Sequence, residues 1–209
     1  KRLRWVFDIH VDTTGQRVVV AIRNISMDDE GYETRLALLD LKTDALQYLT
    51  PVGWHPSLPR WSPDNRFIAF SADDGEETAI WVLNPDTDDQ PSLVTKCEGG
   101  VSELAWSPDG NRIAYVTRLA VPDDPFIDPS DPAPSAISII RRLNYKTDRE
   151  GYWDGRWNHI VILSMPDDAF GIGHPGLATK STQVTTGPYD HQHVSWSPCG
   201  RSVAFVANR

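Results

Sequence analysis

The chain has 209 residues, of which 40% are hydrophobic, and a net charge of −9 at pH 7. This length fits one domain with a sizeable core, and the acidic balance argues against a nucleic-acid or anionic-membrane partner, which needs a basic surface. The sequence holds no run of 18 apolar residues that would predict a membrane span. The two cysteines, Cys97 and Cys199, belong to no motif, which favours a reducing, cytoplasmic location over a disulfide scaffold.

One hairpin-forming stretch occurs several times along the chain. Its copies are a degenerate first one at His10–Ile22, then Arg60–Phe70, Ala105–Val116 and Ser195–Val206. Their turn residues are separated by 50, 45 and 90 positions: Gly15, Asn65, Gly110 and Gly200. Self-similarity at this period indicates a repeat architecture whose units bury their faces against one another.

Each copy predicts a tight hairpin followed by two more strands. In the SPDG turn, proline presets one backbone angle, aspartate bonds the nearby backbone and glycine accepts a positive φ. The flanking apolar runs, such as Phe67–Phe70, predict strands covered on both faces. The third strands are expected at Arg35–Leu39, Ala79–Leu83 and His159–Leu163, and the fourth strands at Leu46–Leu49, Ser92–Thr95 and Gln183–Thr185. Four antiparallel strands per repeat predict the blades of a β-propeller.

The predicted fold is therefore an all-β, incomplete β-propeller that occupies residues 1–209 as one domain. Its blades span about 1–50, 51–97 and 98–186, the third with an insert at 119–157, and residues 187–209 supply only the first hairpin of a fourth. Propellers have about four to eight blades, so we expect the chain to be part of a longer polypeptide. Because blades bury their faces against neighbours, we also expect the isolated chain to self-associate.

The insert of the third blade carries the most unusual composition. Val121–Ser135 holds five prolines and four aspartates, which predicts an exposed loop that proteases reach first, there or at Met165–Ser181. Arginines and aromatic residues follow, a combination suited to carboxylate or carbonyl recognition and to domain contacts. The candidate contact residues are Arg141, Arg142, Tyr145, Tyr152, Trp153, Arg156 and Trp157. The alternative is that the aromatic residues cover their own blade while the arginines are solvated.

Other motifs give no catalytic residue, metal site or cofactor. Gly171–Gly176 matches G-x-G-x-x-G but opens no helix, as a dinucleotide site requires. Asn84–Gln90 lacks the EF-hand spacing, and G-x-S-x-G is absent from the sequence. His191 and His193 could share one side of a strand, but no third ligand has usable spacing.

The repeats resemble the WSPDG-type blades of TolB-like proteins and of the prolyl oligopeptidase family of serine peptidases. Two stretches, Ile140–Leu163 and Gln183–Arg209, are similar to the acylaminoacyl-peptidase branch, with R-L-N-Y-K before G-Y in the first and A-F-V-A-N-R ending the second. Cys199 for the turn aspartate and Asn65 for glycine depart from the pattern. The resemblance implies a propeller that precedes an α/β-hydrolase domain carrying a Ser-Asp-His triad, covers its active site and filters substrates by size.

Two functions remain open at this point. The first is a non-catalytic propeller segment that gates access to a serine peptidase acting on short, including N-acylated, peptides. Its partners would be the hydrolase domain, the remaining blades and the peptide substrate. The second is a TolB-like or WD-repeat-like propeller that serves as a protein-interaction module. A G-x-S-x-G motif downstream in the parent reading frame would favour the first.

Overall fold

The computed structural model describes residues 4–25, 31–73, 77–87, 89–121, 146–147, 151–152, 154–165 and 180–208. Within these ranges the secondary structure is β-strand, and no helix is present that is long and apolar enough to cross a membrane. The predicted loops Val121–Ser135 and Met165–Ser181, and the glycine-rich Gly171–Gly176, lie wholly or mostly outside the described residues.

The first two repeats each form a four-stranded antiparallel sheet in simple up-and-down order. Blade 1 contains β1 (Arg4–Val11), β2 (Arg17–Ile25), β3 (Tyr32–Asp40) and β4 (Leu46–Tyr48). Blade 2 contains β5 (Ser57–Trp61), β6 (Ile68–Asp73), β7 (Thr78–Leu83) and β8 (Ser92–Lys96).

Blade 3 follows the same order around a long insertion. Its strands are β9 (Glu103–Trp106), β10 (Arg112–Ala120), β13 (Arg156–Ser164) and β14 (Lys180–Gln183), and the insert holds the short pair β11 (Lys146–Thr147) and β12 (Gly151–Tyr152). A final hairpin joins β15 (His191–Trp196) to β16 (Val203–Ala207). Three four-stranded sheets and the two-stranded sheet of the final hairpin, none of them closed, confirm the prediction of an incomplete propeller.

Two details of blade 3 differ from the sequence-based expectation. The fourth strand is Lys180–Gln183 rather than Gln183–Thr185, because Thr185 turns inward and its Oγ1 accepts the Ile160 N–H at 2.9 Å. The strands that flank the insert are also longer than expected. β10 and β13 pair as far as Ala120 and Arg156, so these strands extend two residues into the stretch assigned to the insert from each side.

Blades stack face to face, and the alternation of side chains along β6 shows how. Ile68 and Phe70 are fully buried against Val19 and Leu36 of blade 1. Ala69 is buried on the opposite face, in a cluster with Ile113 and other blade 3 residues. A middle strand covered on both faces explains why its sequence is apolar throughout rather than alternating.

The four turns share one geometry despite their different sequences. In blades 2 and 3 and the hairpin, the serine N–H and Oγ both bond the residue five positions later, as in Ser107 with Arg112 at 2.8 and 3.0 Å. In blade 1 the Asp12 carboxylate replaces the serine hydroxyl and accepts the Arg17 N–H at 3.2 Å. The first repeat is therefore degenerate in sequence but intact in structure.

Candidate functional site

The first strands of the blades and of the hairpin lie side by side and form a groove. We call it the inner-strand groove; its wall comes from β1, β5, β9 and β15 and encloses about 570 Å³. The residues that carry its chemistry are His10, Arg60, Trp61, Glu103, Ser195 and Trp196. This volume lies within the range of ligand-binding clefts.

Two charged side chains of the groove hold neighbouring strands together. Arg60 donates from Nη1 to Asp8 Oδ1 of blade 1 at 3.1 Å and to the Pro59 carbonyl at 2.7 Å. Glu103 accepts the His193 and Val194 backbone N–H groups of the hairpin at 2.7 and 2.9 Å. Both contacts join one blade to the next, so the groove wall is cross-linked by charge-assisted hydrogen bonds.

His10 presents a donor to the same groove. Its Nδ1 accepts the Trp61 backbone N–H at 3.0 Å, so the proton of the neutral ring sits on Nε2. Burial and the neighbouring Arg60 lower the pKa of His10 below its ordinary value. Near neutral pH the ring is therefore uncharged, and Arg60 is the positive group on this part of the wall.

Tryptophans of the repeat join successive blades through the same kind of hydrogen bond, from the indole N–H to a backbone carbonyl of the preceding blade. Trp106 Nε1 donates to the Arg60 carbonyl at 3.0 Å, and Trp196 Nε1 donates to the Ala105 carbonyl at 3.1 Å. Trp61 has no such acceptor among the described residues, and its indole N–H is buried. The first blade is thus attached differently, through His10 and Asp8.

Two of these tryptophan rings are each stacked against an arginine of the preceding blade. Arg17 lies 4.6 Å from the Trp61 ring centroid, and Arg112 lies 4.8 Å from that of Trp196. Each also donates to the turn carbonyl of the next blade, Asn65 at 2.9 Å and Gly200 at 2.7 Å. A guanidinium suits this position because it stacks and donates at once.

The structure describes only part of the predicted arginine and aromatic contact set. Arg141, Arg142, Tyr145 and Trp153 lie outside the described residues, and for Tyr152 only the backbone is described, paired with Lys146 in the insert. The other two lie at the start of β13. Arg156 Nη1 is 3.4 Å from the Glu98 carbonyl, and Trp157 is 6% exposed. The role of this set in recognition stays a prediction.

The histidine pair of the last hairpin does not share one side of its strand. His191 is 2% exposed, whereas the His193 side chain is 75% exposed and its φ is +58°. The register of β15 against β16 shifts between Gln192 and Ser195, and this bulge changes which way the following side chains point. The described residues contain no cluster of three or more metal-ligating side chains.

The two cysteines have opposite environments and are unpaired. Burial raises the pKa of the Cys97 thiol to about 12, which leaves it protonated and unreactive near neutral pH. Cys199 is exposed in the last turn, and a hydrogen bond from the Ser197 hydroxyl lowers its pKa. Neither thiol lies in the inner-strand groove.

Sequence reasoning did not identify the groove residues. Arg60 directly precedes a repeat tryptophan, and Asp8 and Glu103 lie three residues before Val11 and Trp106, the equivalent positions of blades 1 and 3. Aligning the repeats shows that each of these charged residues lies within three positions of the same point on its inner strand. The sequence does not show which residues these side chains contact, because each contact joins residues about 50 to 90 positions apart.

No family model matches the chain. It is 24% identical over 199 residues to the uncharacterized peptidase YuxL of Bacillus subtilis and 24% identical over 201 residues to dipeptidyl-peptidase 5 of Porphyromonas endodontalis. Each match covers 93% of this chain and 28% of the relative. A solved acylaminoacyl peptidase, in complex with Z-Gly-Gly-Phe-chloromethyl ketone, superimposes on 97% of this chain and 28% of its own length, with a TM-score of 0.64 and 16% identity.

These comparisons show similarity in sequence to two peptidases and in fold to a third. Both curated relatives are peptidases, and the solved structure shows the same fold. The chain spans about 28% of the length of the curated relatives it matches. The predicted resemblance to the propeller segment of such peptidases is therefore confirmed.

Proposed function

We propose that this chain is the non-catalytic propeller part of a serine peptidase that acts on short peptides, including N-acylated ones. The observation that carries this proposal is that both curated relatives are peptidases that share with this chain only about 28% of their length, a stretch that folds here as propeller blades. The partners are then an α/β-hydrolase domain, the further blades and the peptide substrate.

In this proposal the peptide substrate passes along the inner-strand groove. Arg60, Glu103 and the tryptophan bonds cross-link its wall, so neighbouring inner strands hold one another in place. In the complete propeller, a passage lined by these strands would admit an extended peptide and exclude a folded protein by size. Gating of the active site by the propeller is the function that this arrangement supports best.

The test uses the longer polypeptide that carries this chain and compares two serine-to-tryptophan variants. Ser195 lines the groove, whereas Ser92 lies exposed on the outer strand β8. We expect Ser195→Trp to lower kcat/KM for peptides, more for longer than for dipeptide substrates, while Ser92→Trp leaves it unchanged. Equal kcat/KM in both variants would contradict gating through the groove, and the lack of a hydrolase domain downstream would contradict the peptidase assignment.

A protein-interaction module is the second candidate, because blade 1 exposes apolar side chains. Val6, Ile9 and Val11 are 52%, 56% and 44% exposed on β1. Apolar residues grouped in this way commonly mark an association surface. If no hydrolase domain follows in the parent reading frame, this second function is favoured.

A further inference from the structure

Two histidines are buried together where the last hairpin meets blade 3. His159 lies in the middle strand β13 and is 0% exposed, and His191 opens β15 and is 2% exposed. Their ring centroids are 5.2 Å apart with an interplanar angle of 31°. The proposed peptidase function makes no use of this pair.

Hydrogen bonds hold both rings in place. Thr185 Oγ1 accepts the Ile160 N–H at 2.9 Å and lies 3.3 Å from His159 Nδ1. The Nε2 atom of His159 is buried without a partner among the described residues. His191 Nδ1 lies 3.2 Å from the Asn158 carbonyl, which can only accept, so this nitrogen carries the proton.

The surroundings of His159 favour its uncharged state. On the β10 side His159 faces Thr117, and the rings of Tyr189 and Phe205 pack against His191 at 5.7 and 5.5 Å. The negative charge of Asp190 raises the pKa of His159, and Asp190 Oδ1 also accepts the Asn158 N–H at 3.0 Å. Burial has the largest effect and the neighbouring His191 the next largest. Together they outweigh Asp190 and lower the pKa of His159 below its ordinary value.

We propose that the His159–His191 pair is an acid-sensitive joint, and that protonation in mild acid releases the β15–β16 hairpin from blade 3. A positive charge on either ring would be buried beside the other imidazole. Release of the hairpin exposes both rings to water. In the unfolded or released state a histidine titrates near its ordinary pKa of about 6.5. The stability from the neutral pair is therefore complete above that pH and is lost as the pH falls through the lower folded-state pKa of His159.

Amide hydrogen exchange of the whole chain, read by peptide at about pH 7.5 and 5.5 and corrected for the intrinsic exchange rate, tests the proposal. We expect the protection of β15 and β16 to fall at the lower pH by up to about tenfold, the limit for one histidine at one pH unit below its ordinary pKa, while β6 in blade 2 keeps its protection. The segmental readout matters because His10, whose pKa is also lowered, lies at the junction of blades 1 and 2.

Three variants complete the experiment. His159→Gln keeps a polar side chain that can hydrogen-bond Thr185 but does not titrate, so its hairpin protection should no longer depend on pH. His193→Gln, on the same strand with an exposed side chain, should behave like the wild type. If His159→Gln does not fold, His159→Asn replaces it with the same expectation. Wild-type hairpin protection that is equal at both pH values, or a pH effect that disappears in His193→Gln, would overturn the proposal.

Discussion

One residue of each of the four repeat turns has a positive φ angle. Gly15, Gly110 and Gly200 have φ of +71°, +73° and +69°, and Asn65 has +60° at the same position of blade 2. Asparagine tolerates this left-handed region better than other residues with a Cβ, and β-branched residues tolerate it least. The turn therefore selects its residue by backbone conformation.

Gly110→Val should destabilise the chain by about 1–3 kcal/mol. A Cβ at Gly110 would have its nearest neighbour, Pro63 Cγ, at 3.5 Å, so there is room, and the cost comes from φ. Gly110→Asn is the matched control, because blade 2 already uses asparagine there, and it should be close to neutral. Thermal melting of both variants checks this; equal melting temperatures for the two would show that φ is not the cause.

At the scale of elements, one arginine connects the turn of blade 3 to the hairpin. Arg112 Nη2 donates to the Gly200 carbonyl at 2.7 Å and to Asp109 at 3.0 Å, and the guanidinium stacks on Trp196. Blade 1 repeats this arrangement with Arg17, Asn65 and Trp61. Blade 2 has Phe67 at the equivalent position, so the corresponding contact with blade 3 is apolar.

Arg112→Ala should lower stability by about 1–2 kcal/mol, because two hydrogen bonds and a ring contact are lost at a half-buried site. Arg201→Ala, an exposed arginine of the next turn, is the control and should change stability by less than about 0.5 kcal/mol. Denaturant unfolding of both variants measures the difference. Arg112→Ala as stable as Arg201→Ala would mean that the guanidinium does not hold the two elements together.

For the whole molecule, the faces at the two ends of the array have no neighbouring blade among the described residues. On blade 1, Ile9 and Val11 lie opposite Val20 and Val18, which point away from blade 2. At the other end β16 pairs only with β15, and Val206 is 57% exposed. An apolar face and an unpaired strand edge both promote association.

We therefore expect the isolated 209-residue chain to self-associate at micromolar concentration, as sedimentation velocity would show. Ile9→Glu should weaken association, because it places a charge on the exposed face of blade 1 without disturbing the core. Val52→Glu is the control, since Val52 is 66% exposed in the loop between blades 1 and 2. A monodisperse wild-type monomer with a cooperative thermal transition would contradict this expectation.

The sequence by itself determined the repeat, the turns and the blade order. Turn chemistry acts over four or five adjacent residues, so Ser107, Asp109 and Gly110 specify their hairpin without reference to the rest of the chain. The apolar runs between the turns are long enough to mark buried strands, as at Ile113 to Val116, all buried. These are local signals, and local signals can be read from sequence.

Only the tertiary structure decided how the blades are joined and what lies at their junctions. Arg112 meets Gly200, and Glu103 meets the His193 amide, across separations of 88 and 90 residues. The bulge in β15 follows His191 and leaves the His193 side chain exposed, while His191 is buried against His159. Such contacts depend on register and on the stacking of whole sheets. Packing between blades, and not local preference, therefore places these side chains.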